Sequence, residues 1–104
     1  MTNRNPIIEW SGTCGKECLK FTFGENLTED EAVVAISEWE KCFREKVGKP
    51  FVLIWDCRKM RRYETAARDK WTVALKEMKK DIESIWLITD NLFIRFGAIL
   101  MELF

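Results

Sequence analysis

Phe51-Val52-Leu53-Ile54-Trp55-Asp56 is the stretch that decides the fold. Its first five residues are all apolar, and four of them are β-branched or aromatic, which suits a pleated surface. A strand apolar on both faces belongs inside a sheet, where parallel pairing is the usual arrangement. Asp56 closes the run, and Gly48 and Pro50 set it off from what precedes it.

Upstream, Thr28 followed by Glu31 forms a capping box, in which hydroxyl and carboxylate each take the other residue's amide. Glu29, Asp30 and Glu31 suit the positive end of a helix. Ala32, Ala35, Ile36, Trp39, Phe43 and Val47 then recur on one helical face. Further back, Ile7-Ile8-Glu9-Trp10 reads as a strand, and Leu19, Phe21 and Phe23 alternate with Lys20 and Thr22 as a second. Gly12 and Gly15 lie between them, so the pair is expected to form a hairpin.

Downstream, Ala67, Trp71, Ala74, Leu75 and Met78 mark a second helix within Tyr63 to Lys80. Ser84 to Thr89 is another apolar strand, and Asp90 or Asn91 can cap a last helix from Leu92 to Leu103. The expected order is β-β-α-β-α-β-α: an α/β fold, a four-stranded mixed sheet with three helices, in a single domain spanning residues 1–104. If the strands follow one another in space, right-handed crossovers put every helix on one face. The other face then needs a crossing helix or a partner chain.

Seventeen basic residues balance seventeen acidic ones, and there is no histidine. A net charge of zero argues against a broad nucleic-acid-binding field, so no nucleic-acid partner is expected. The missing histidine removes the commonest general base and metal ligand. No run reaches 18 apolar residues, so no membrane span is expected, and Met1 to Pro6 lacks the apolar core of a secretion signal. A cytoplasmic setting follows as the default, with Cys14, Cys18, Cys42 and Cys57 as thiols. No metal site and no cofactor is expected.

The zero hides an asymmetry. Up to Cys57 there are ten acids and seven bases, and after it seven acids and ten bases. Much of the excess is one loop, Arg58-Lys59-Met60-Arg61-Arg62. It lies at the carboxyl end of the central strand, where open α/β sheets bind ligands. Those cations could also lower the pKa of Cys57, which makes a reactive thiol conceivable. Yet position 63 is Tyr63 rather than the arginine a cysteine phosphatase needs, and residues 58–62 hold no glycine, so the chain is not expected to be an enzyme.

The element order and the segment Phe51–Arg68 resemble the STAS superfamily in its SpoIIAA-like branch, the anti-sigma factor antagonists. Those proteins end the central strand with Asp and open the next helix with Asp-Ser-Ser/Thr-Gly. Here Asp56 ends the strand and Glu64-Thr65-Ala66-Ala67 stands at the motif, without its Ser pair or its Gly. The resemblance implies a regulatory domain that binds a protein partner through Asp56, Arg58, Arg61, Arg62, Tyr63 and Thr65, with Thr65 as the possible phosphosite. The apolar last segment suggests a homodimer or apolar surface at Phe93, Phe96, Leu100 and Phe104. A different class is the binding of a small apolar ligand or lipid in a tryptophan-rich pocket, as in CRAL-TRIO domains, which share this gross architecture.

Overall fold

The computed structural model describes residues 4–12, 17–90 and 94. Strand β1, Ile7–Ser11, runs antiparallel to β2, Cys18–Thr22. Helix α1 spans Glu29–Glu45, and β4, Phe51–Asp56, then pairs parallel with β2. Helix α2, Thr65–Met78, a 3-10 turn at Lys79–Asp81 and β6, Ile82–Ile88, complete a sheet in the order β1-β2-β4-β6. The two-residue strands β3, Asn26–Leu27, and β5, Arg62–Tyr63, pair parallel beside it.

The central strand is as expected: β4 has parallel neighbours on both sides. The capping box is present, with Glu31 N donating to Thr28 Oγ1 at 3.2 Å and Thr28 N donating to Glu31 Oε1 at 2.9 Å. Helix α1 ends before Gly48, whose φ of +107° is a conformation that an L side chain rarely adopts. Two α-helices are described rather than the three expected. The expected third, Leu92–Leu103, lies outside the described residues except Ile94, which is helical and buried. The surface assigned to Phe93, Phe96, Leu100 and Phe104 also lies outside them.

Period-two alternation sorts the sheet into two faces. Ile8, Leu19, Phe21, Phe51, Leu53 and Trp55 face α1 and α2 in one core. The packing there is largely aromatic. Trp39 of α1 meets Phe21 at 5.3 Å between ring centroids, and Trp71 of α2 meets Phe21 at 5.8 Å and Trp55 at 6.2 Å. Most of these pairs are edge-to-face, the arrangement the ring quadrupoles favour. The Nε1 groups of Trp39 and Trp55 are buried without a hydrogen-bond partner among the described residues. Such an orphan costs on the order of 1–3 kcal/mol, so this core holds its indoles by ring packing rather than by hydrogen bonds.

The opposite face is uncovered by the described residues. Trp86 is 67% exposed, Ile7 46% and Ile88 40%, with Val52 and Ile54 half-buried between them. Neither α1 nor α2 crosses it, and the cover expected there, a crossing helix or a partner chain, lies outside the described residues.

Candidate functional site

The segment after β4 is built by alternation. Phe51, Leu53 and Trp55 face the core, so Cys57 does too, and it is buried. Asp56 falls on the opposite side with only 5% exposure. Its carboxylate receives Arg58 Nε at 2.9 Å, Arg58 Nη2 at 2.7 Å and the Arg58 amide at 3.2 Å. A fork of this kind is the strong form of a carboxylate–guanidinium pair. Hydrogen bonds from the Arg58 side chain hold the Asp56 carboxyl below the ordinary carboxylate range, against the opposing effect of burial. Of the expected site residues, Arg58 is therefore engaged with Asp56 inside its own loop.

The rest of the loop is pinned through its backbone. Cys57 N donates to Ile88 O at 2.8 Å and Met60 N to Cys57 O at 3.1 Å. Arg61 N and Arg62 N both donate to Glu25 O, at 2.8 and 3.2 Å, and Glu64 N donates to Leu27 O at 2.9 Å. Met60 is buried in the core, while Lys59, Arg61 and Arg62 are exposed and form no ion pair among the described residues. The structure thus presents three of the loop's cations on a backbone fixed at both ends.

Cys57 departs from expectation. Its thiol is pushed up to about 12, first by burial and second by the charge of Asp56. The cations that were expected to lower it are turned outward or committed to Asp56. A thiol this far above neutrality is protonated and a poor nucleophile.

Thr65, the expected counterpart of the family's phosphoserine, is exposed at the first residue of α2. Glu64 is the N-cap of that helix but gives it no side-chain bond. Its carboxylate instead accepts from Glu29 N at 2.7 Å, so the acid before Thr65 caps the other helix, α1. Sequence reasoning missed this because the contact joins two positions far apart in the chain. Tyr63 is half-buried behind the loop.

An apolar cavity lined in part by Trp55 and Trp71 lies under this loop, where sequence reasoning names a tryptophan-rich pocket without placing it. It has a volume of about 50 Å³, and Phe23, Leu27, Trp55, Met60, Tyr63 and Arg68 are among the residues that line it. Its walls are almost wholly apolar, and Arg68, whose guanidinium pairs with Asp69 at 3.6 Å, is the one charged residue among them. Met60 and Tyr63 bracket Arg61 and Arg62 in sequence, so the cavity lies beneath the exposed cations. The alternation that buries Trp55 and Cys57 was the available signal for it.

Among the described residues no group of three His, Cys, Asp or Glu side chains could hold a metal ion, and no helix is long and apolar enough to cross a membrane.

The overall architecture recurs in a known fold. The chain resembles, with a TM-score of 0.78, the crystal structure of an uncharacterized protein from the DUF3478 family with a SpoIIAA-like fold, from Shewanella loihica PV-4. The fold is SpoIIAA-like. The match covers 99% of this chain and 82% of the other at 11% sequence identity, so the likeness is one of architecture. No protein-family model matches the sequence, and no curated protein matches it.

Proposed function

We propose that this SpoIIAA-like domain is a non-enzymatic regulatory module that binds an acidic surface of a protein partner at the strand-end and helix-start segment, residues 56–68. The observation that carries this reading is the set of three exposed cations, Lys59, Arg61 and Arg62, held on a pinned loop and forming no ion pair among the described residues. Charges fixed in this way steer encounter and cost little ordering entropy on binding. They act locally, because a cluster within a Debye length of ~8–10 Å is felt almost independently of the net charge. Thr65, exposed at the helix start beside them, is where an added phosphate would offset this positive surface.

The buried, protonated thiol of Cys57 supports the non-enzymatic part of the reading. The cavity under the loop is small for a bound lipid. An engineered cavity that takes benzene measures ~150 Å³, and the cavity here is about 50 Å³.

Selection from two displayed peptide libraries, one rich in Asp and Glu and one rich in Lys and Arg, tests the reading. The acidic library should be enriched, and binding should weaken as salt rises. Enrichment of the basic library, or of neither, would reject it.

A further inference from the structure

Resting on that reading, we infer that the partner inserts one aliphatic or thioether side chain into the cavity beneath the basic loop, with acidic residues on either side of that anchor. Two observations meet at this place. The first is a hole whose walls are almost wholly apolar. The second is the row of exposed cations above it, Arg61 and Arg62 between the lining residues Met60 and Tyr63. An apolar pocket next to a loop that carries exposed cations fits a segment with an apolar centre and acidic flanks. This is the usual anatomy of a hot spot: a desolvated anchor within a polar rim.

The volume selects the anchor. About 50 Å³ is a third of what benzene needs, so an aromatic ring is excluded unless the walls move. It is several times the ~10–15 Å³ a single water occupies, so a branched or thioether tip has room. The walls offer that tip carbon and aromatic surface with almost no polar atom. Alanine would leave the hole unfilled, and a polar side chain would lose its hydrogen bonds to water with no replacement.

The test uses acidic peptides identical except at one central position, varied among Leu, Ile, Met, Ala, Asp and Trp, titrated against the whole chain. Leu, Ile or Met should bind at least tenfold more tightly than Ala, Asp or Trp. The Met60 methyl resonance should shift on saturation with the aliphatic peptides alone. Leu87→Phe, placed on the cavity wall, should abolish the preference for Leu, Ile or Met over Ala. The Met60 signal answers the question without a variant should Leu87→Phe fail to fold. Equal affinity across the series, with salt-sensitive binding retained, overturns the anchor and leaves the partner reading standing. Absence of binding by every peptide overturns both. Preference for Trp, or shifts centred on Trp86 of the opposite sheet face, also overturns the anchor.

Discussion

Truncating Met60 tests how the loop is held. Met60 is the one residue of the basic loop whose side chain is buried in the core, beside Trp55, Trp71 and the cavity. Met60→Ala removes the equivalent of about three methylene groups, each worth ~0.8 kcal/mol in transfer, or about 2.4 kcal/mol. The new void merges with one that already exists, so little collapse can offset it, and the cavity adds on the order of 1 kcal/mol. The sum is about 3 kcal/mol, a large share of the ~5–15 kcal/mol that stabilises a domain. For a domain of about a hundred residues each kcal/mol lowers Tm by ~4–8 °C, so the melting point should fall by roughly 12–24 °C. Urea unfolding of both proteins measures the difference directly, and the midpoint should move without a change in slope. Met60→Leu nearly conserves volume and should cost under about 1.5 kcal/mol. A loss below about 1 kcal/mol for Met60→Ala would refute the claim that this side chain anchors the loop.

Other outcomes follow from the same structure. Thr28→Ala removes the hydroxyl that accepts from Glu31 N, while the Thr28 amide keeps its bond to Glu31 Oε1, and should destabilise by about 1 kcal/mol in urea unfolding. The Cys57 thiol, raised from 9.0 to about 12 in the fold, should resist iodoacetamide at pH 8 until the protein is unfolded, as read by intact mass. Because that pKa is raised, its stabilising contribution is complete below pH 9 and is lost as pH rises from about 9 to about 12. Cys57→Ala should therefore flatten the stability profile across that window. Arg58→Ala leaves the Asp56 carboxylate without its guanidinium, so its pKa should rise in a carboxyl NMR titration. Thr65→Asp adds a negative charge beside the loop and should weaken acidic-peptide binding several-fold with no loss of fold.

The sheet was legible in the sequence where burial is two-sided or strictly alternating. Phe51 to Trp55 could only be an inner strand, and Leu19, Phe21 and Phe23 could only be a half-buried one. Helix α1 announced its start through Thr28 and Glu31. Strands β3 and β5 did not show, since two residues carry no periodicity and their pairing depends on Glu25 O receiving both Arg61 N and Arg62 N. The site was legible as composition and not as geometry. Four cations in Arg58 to Arg62 read as one field, but the fold commits Arg58 to Asp56 and presents the other three outward. Cys57 reads as a thiol among cations when its neighbours are taken in sequence. Counting by twos from Phe51 places it in the core, and there desolvation reverses the direction of its pKa. The role of Glu64 as a cap for α1 depends on tertiary structure that no local pattern encodes.

The central claim is that the outward cations of this loop recognise an acidic partner. Its most direct test is the Kd of one selected acidic peptide for the unaltered chain and for the Arg61→Glu, Arg62→Glu double variant, at several salt concentrations between about 50 and 300 mM. Both side chains are exposed and form no ion pair among the described residues, so the double reversal should leave the fold intact. The account predicts affinity about tenfold weaker at low salt and a much flatter salt dependence in the variant. Equal affinity and an equal salt slope in the two proteins would contradict it.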